Sequence, residues 1–227
     1  MRFALVCCLL ALAVCNTMHA ADETPAKALP KVVLIGDSIR LSYAPVVAKQ
    51  LAGKASIVSP KPNGGDSSNV LKNIEAWAIR EQPAVVHFNC GIHDTKKFKA
   101  TGKFQVSPEQ YEANLRDIVS QLRKKTKAKI LFALTTPIVD DRAAKTRAER
   151  DYELLNASTE QYNEIAQRVM KELDVPVNDL RKALGTPEEQ ARAIVDDGVH
   201  FNKQGVDKLA AAVTAFLSEH LPAVTAK

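Results

Sequence analysis

Val32-Val33-Leu34-Ile35-Gly36-Asp37-Ser38-Ile39 is the stretch on which the reading of this chain turns. Its apolar residues run without polar interruption and stop at a glycine. A run that is apolar on both faces suits a strand covered on both sides, the habit of parallel sheets. Asp37 and Ser38 then open a helix, since both residue types are favoured caps. A serine there has its own N–H at a helix N-terminus, where negative charge is stabilised. That is a good place for a nucleophile, although a plain helix cap has the same sequence.

Outward from this stretch the pattern repeats. Ala84-Val85-Val86-His87-Phe88 and Ile130-Leu131-Phe132-Ala133-Leu134 are further apolar runs, with shorter strand candidates at 55–58 and 175–177. Between them lie helical stripes. Ser107-Pro108-Glu109-Gln110 starts one that carries Tyr111, Leu115, Ile118, Val119 and Leu122. Ser158 with Gln161 reads as a second start, Ser67 or Ser68 as a third, and Asn202 as the last. These stripes are core faces. The alternation predicts one three-layer α/β/α sandwich with a mostly parallel sheet, in which ligands sit outside the carboxyl ends of the strands.

The chain has 227 residues, enough for one such domain. A hydrophobic share of 46% and a charged share of 25% are those of a globular protein. The net charge of +5, with no basic run interleaved with aromatics, gives no ground for nucleic-acid binding. Arg2, the apolar run from Phe3 to Val14 and the small residues up to Ala20 read as a signal peptide over 1–20, too short to span a membrane. Residues 21–30 read as a tether and 31–222 as the domain. The protein is then expected to be exported, periplasmic or extracellular, with lipid anchoring at Cys15 the less favoured variant. Cys90 alone lies beyond the leader, so no intrachain disulfide is expected.

Three further polar loops follow strand candidates. Asn63-Gly64-Gly65-Asp66-Ser67 and Cys90-Gly91-Ile92-His93-Asp94 offer glycines that let backbone N–H groups approach a ligand. Asp197-Gly198-Val199-His200 precedes the last helix. A serine hydroxyl needs a base to take its proton, and a histidine works best when a carboxylate fixes its tautomer. Asp197 and His200 can meet if the turn is tight. No Gly-x-Ser-x-Gly elbow, dinucleotide fingerprint, P-loop or His-Glu-x-x-His is present. His87 reads as a core histidine, and His87, His93 and Asp94 follow no metal-site spacing.

With these residues in this order, the chain resembles the SGNH (GDSL-type) hydrolases over about residues 31–220. Gly36-Asp37-Ser38 matches the first block of that family. Gly65, with Gly64 as the neighbouring alternative, matches the second, and Asp197 and His200, continued by Phe201-Asn202 and Gly205, match the last. The resemblance implies a flavodoxin-like fold and a serine esterase that needs no cofactor and no metal. Ser38 would be the nucleophile, with His200 and Asp197 as its partners, and the N–H groups of Ser38 and Gly65 would hold the oxyanion. The third block departs from the family: Gly91-Ile92-His93-Asp94 has histidine where the family has asparagine. His93 is expected to donate in its place, the alternative being a buried histidine held by other groups.

The expected substrate is a small-molecule or carbohydrate ester, with carbohydrate deacetylation preferred. A lipase or lysophospholipase is the runner-up, and a non-catalytic carbohydrate- or envelope-binding protein the rival. Two charged segments, Thr95–Gln105 and 138–157, read as solvated surface or as a basic rim for an anionic ester.

Overall fold

The structure, a computed structural model, describes residues 28–222, so the leader expected at 1–20 lies outside the described residues. Strand β1 (Lys31–Ile35) leads into helix α1 (Ser38–Gln50), and β2 (Ser56–Val58) into α2 (Ser67–Trp77). β3 (Val85–Phe88) is followed by the two-residue β4 (Lys97–Phe98), then α3 (Pro108–Lys125) and β5 (Lys129–Ala133). After these come α4 (Asp140–Thr146), β6 (Tyr152–Glu153), α5 (Asn156–Glu172) and β7 (Val177–Asn178). The short helices α6 (Leu180–Ala183) and α7 (Pro187–Ala193) precede the closing α8 (Lys203–His220).

Five strands form one sheet in the order β2-β1-β3-β5-β7, and every pairing in it is parallel. Counted by its own strands alone, this is the flavodoxin-like order, whose direction of winding reverses at β1 and β3. The alternation of side chains along β1 serves two cores. Val32 and Leu34 pack with Tyr43 and Val47 of α1 and with Leu209 and Val213 of α8. Val33 and Ile35 face the opposite way, among Ile74 of α2, Leu115 and Ile118 of α3 and Tyr162 of α5. Helices therefore cover both faces of a mostly parallel sheet, as the unbroken apolar runs require.

Several local expectations are corrected. Helix α5 starts at Asn156, before the Ser158 proposed as its cap. Its first N–H is met from outside, where Asp140 Oδ1 accepts from Asn156 N at 2.7 Å, and Leu155 before it supplies no side-chain cap. Helix α2 is capped by Asp66, not by Ser67 or Ser68, the carboxylate accepting from Asn69 N. Strand β7 excludes Pro176, which has no N–H for the ladder but still accepts from Phe132 N at 3.0 Å.

The two charged segments are not independent loops. Lys97 and Phe98 of β4 pair antiparallel with Glu153 and Tyr152 of β6, a separate two-stranded sheet at the carboxyl end of the main one.

Candidate active site

The exit of β1 is packed so closely that little can change. Gly36 leaves room for Arg40, whose Cβ would lie 2.8 Å from a Cβ at position 36. Asp37 caps α1 by accepting from Ile39 N at 2.9 Å. Ser38 is then the first helical residue, half-buried, and its N–H is one of those that a helix start leaves without an intrahelical acceptor.

The other end of the chain comes to meet it. Ser38 Oγ lies 2.7 Å from His200 Nε2 across 162 residues of sequence. His200 Nδ1 lies 2.5 Å from Asp197 Oδ2, while Asp197 Oδ1 accepts from the N–H groups of Val199 and His200, each at 2.8 Å. Burial opposes ionisation of Asp197, but the His200 ring and these two backbone donors outweigh it and hold the carboxyl below its usual range. Gly198 makes the turn possible with φ +76°, and a Cβ there would meet Ala143 N at 2.4 Å and Val139 O at 2.6 Å. The turn thus rests on the start of α4, and Val139 N donates to Gly198 O at 2.9 Å.

The glycine loop lies beside β1. Gly64 N donates to Gly36 O at 2.9 Å, and a Cβ on Gly64 would sit 2.7 Å from that oxygen. Gly65, at φ +63°, donates instead to the side-chain oxygen of exposed Asn63 at 2.8 Å. The Gly64 N–H is therefore fixed in the backbone, whereas that of Gly65 is held by a side chain that can turn away.

His93 is half-buried and lines the same cleft as Ser38 and His200. Its ring has no hydrogen-bond partner among the described residues. Burial lowers its pKa; Asp37 and Asp66 pull the other way, while Lys96 and His200 reinforce the lowering. It is therefore neutral at neutral pH and carries one ring N–H. Asp94, next in sequence, is fully buried and accepts from Ser67 N at 2.9 Å and from Ser67 Oγ in a shorter bond. Burial pushes its pKa up to about 7. The loop after β3 is thereby tied to the start of α2.

One residue was invisible in the sequence. Arg40 is fully buried, and its guanidinium donates to Gly36 O, Ser59 Oγ, Pro60 O and Pro62 O at 2.7–3.2 Å. It fastens the loop that leads to Gly64 and Gly65 onto the exit of β1. Its partners are a carbonyl four residues back and a hydroxyl and two carbonyls about twenty residues ahead, none of them a charged residue that would point to it. His87 is a core residue, as expected. Only its Nε2 finds a polar neighbour, Asn178 Nδ2 at 3.4 Å, while Nδ1 has none among the described residues. Burial lowers its pKa to about 4.

The cleft in front of Ser38 has a volume of ≈ 160 Å³ and is lined by Ile92, His93, Leu154, Val199 and His200, with Lys96, Arg147 and Tyr152 from the two charged segments. Among the described residues no group of three or more His, Cys, Asp or Glu is arranged to hold a metal ion. No helix among them is long and apolar enough to cross a membrane.

A family model, that of the GDSL-like lipase/acylhydrolase family, matches residues 34–208. The chain belongs to this family. It is accordingly an ester-bond hydrolase. A GDSL esterase/lipase of Arabidopsis thaliana is 23% identical over 195 residues, 78% of this chain and 80% of that protein. An isoamyl acetate-hydrolyzing esterase 1 homolog of Rattus norvegicus is 24% identical over 191 residues, 78% of this chain and 76% of that one. Among solved structures, a lipase/acylhydrolase from Enterococcus faecalis superposes with a TM-score of 0.70 at 20% identity, covering 87% of this chain and 100% of that chain. An acetyl xylan esterase from Geobacillus stearothermophilus gives 0.68 at 20% identity, covering 88% of this chain and 98% of that chain. The two solved structures share the fold of this chain, and the β1 exit with Ser38 lies within the segment that the family model matches.

Proposed function

We propose that this GDSL-family hydrolase is an exported serine esterase that removes small acyl groups, acetyl above all, from carbohydrate or other small-molecule esters. The observation that carries the reading is the continuous relay Ser38 Oγ–His200 Nε2 and His200 Nδ1–Asp197 Oδ2, at 2.7 and 2.5 Å.

In this reading His200 takes the proton of Ser38 as Oγ attacks the ester carbonyl, and later gives it to the leaving alcohol. Asp197 keeps Nδ1 protonated, so that Nε2 is the basic nitrogen. Negative charge develops on the carbonyl oxygen. The N–H groups of Ser38 and Gly65 and the ring N–H of His93 are its donors. Gly65 serves once Asn63 releases it. A water activated by His200 then clears the acyl-enzyme.

A small acyl group is favoured because a cleft of ≈ 160 Å³ lies well below the roughly 300–1,000 Å³ of sites for drug-sized ligands. Acetyl xylan esterases are among the proteins of similar fold, which supports a carbohydrate ester. Export rests on the basic and apolar leader of residues 1–20.

The test is labelling with a fluorophosphonate probe. The wild-type protein is expected to be labelled, Ser38→Ala to be blank, and His93→Ala to hydrolyse acetyl esters about a hundredfold more slowly while keeping its fold. A well-folded wild type that takes no label removes the serine mechanism. Full turnover in His93→Ala removes the donor role of that ring.

A further inference from the structure

Two cations reach the cleft from the two charged segments, and neither is spent on a carboxylate. Lys96 and Arg147 both line it with Ser38. Among the described residues neither forms an ion pair. Lys96 is held by an aromatic face instead, its Nζ 5.2 Å from the centre of the Tyr152 ring. Arg147 uses Nη1 on Asp197 O at 2.7 Å and on Ala143 O at 3.3 Å. Its Nε and Nη2 donate to nothing among the described residues. Those two nitrogens form the edge of a guanidinium that pairs with both oxygens of a carboxylate.

Other charges near the cleft are already engaged. Asp37 and Asp66, the acids whose charge acts on His93, cap α1 and α2 and do not line the cleft. Asp197 is occupied by His200. The neighbouring Lys97 pairs with Glu153, and Lys99 Nζ donates to Ala148 O at 2.8 Å, so these two lysines are spent on the structure of the two segments. The remaining wall is apolar, from Ile92, Leu154 and Val199. An apolar slot with two uncommitted cations at its edge matches an ester whose acyl or alcohol part also carries a negative charge.

We infer that Lys96 and Arg147 form a carboxylate-binding subsite beside Ser38, and that the preferred substrates are esters bearing a carboxylate within a few bonds of the scissile carbonyl. This rests on the serine-esterase reading of the same cleft and specifies its substrate class.

The experiment uses two matched pairs of esters on the wild-type protein, Lys96→Met and Arg147→Met. Mono-(4-nitrophenyl) glutarate against 4-nitrophenyl pentanoate puts the charge on the acyl side. 2-Acetoxypropanoate against 2-acetoxypropanamide puts it on the alcohol side. In one pair the charged ester is expected to have the higher kcat/KM. The charged-to-neutral ratio should drop about fivefold in Lys96→Met, the scale of a partly exposed ion pair. It should drop further in Arg147→Met, and in wild type it should decline with added salt. The pair that responds tells which side of the ester carries the anion. Ratios equal in all three proteins for both pairs overturn the subsite and leave the serine mechanism standing. If no ester is turned over, the serine reading fails, and calorimetry with 2-acetoxypropanoate and its amide decides the subsite. Tighter binding of the carboxylate that is lost in Lys96→Met keeps it, and equal binding ends it.

Discussion

The two arms of the site are built on different plans. The serine arm is the exit of β1, where Gly36, Asp37 and Arg40 are buried and Gly64 lies against Gly36. Its bonds run to other parts of the fold, from Arg40 to the loop before α2 and from Asp94 to Ser67. The histidine arm is one turn, half-exposed at Asp197 and His200, whose bonds are mostly its own. Its outside supports are Val139 and Arg147, both at the ends of α4. In the proposed mechanism a scaffold therefore fixes the nucleophile, whereas a turn propped by α4 carries the base. Damage to the first arm should be felt in stability and in activity. Damage to the second should be felt mainly in activity.

The sharpest break is at the relay itself. Ser38→Ala and His200→Ala are expected to lower ester turnover by on the order of 10⁵-fold, and Asp197→Asn by roughly 10⁴-fold. Circular dichroism and the urea midpoint should stay near those of wild type, and an unfolded His200→Ala would contradict the self-contained turn.

Arg40→Met tests the serine arm. Removing a buried donor leaves the carbonyls of Pro60 and Pro62 without their partner and Gly36 O with Gly64 N alone, so urea unfolding should show a loss of about 2–4 kcal/mol, with turnover falling as well. A variant as stable as wild type would mean that the loop before α2 holds itself.

Gly198→Ala probes the prop. Its positive φ and the contacts at 2.4 and 2.6 Å force the turn off α4, and turnover should fall roughly 10–100-fold while stability drops by about 1 kcal/mol. Equal kcat/KM in wild type and variant would show that the turn tolerates the shift.

The last test concerns Asp94. Its carboxyl titrates near 7 in the folded protein and near 4 when unfolded, so the folded state binds the extra proton between those values. Stability contributed by this group is full below about pH 4 and is lost as the pH rises towards 7. Asp94→Asn should flatten that slope in urea melts across the window, and an unchanged slope would assign it to other groups.

The serine arm was the more legible of the two in position and the less legible in its supports. The apolar run before Gly36 announces a covered strand, and the helix after it follows from the caps. The sequence also brings Asp197 and His200 to one turn, because Gly198 permits it. Arg40 gave no such sign, since a cation that satisfies itself on carbonyls leaves no partner residue to look for. The pairing of β4 with β6 was equally hidden: two residues carry no periodicity, and the strands lie far apart in the chain. Helix α5 was misplaced because its first donor is met by Asp140, a residue outside it. His93 could be read as a substitution in the third block, but not its neutral state, which depends on burial.

The distance of 162 residues between Ser38 and His200 has a consequence for the timing of assembly. The N-terminal strands and helices can form and pair while the turn that holds the base has yet to be made. Not until α8 docks beside α1, in the core that they share, does the imidazole reach the hydroxyl. In the proposed mechanism, a chain cut short before His200 has no base within reach of Ser38 and so no esterase to turn on its surroundings.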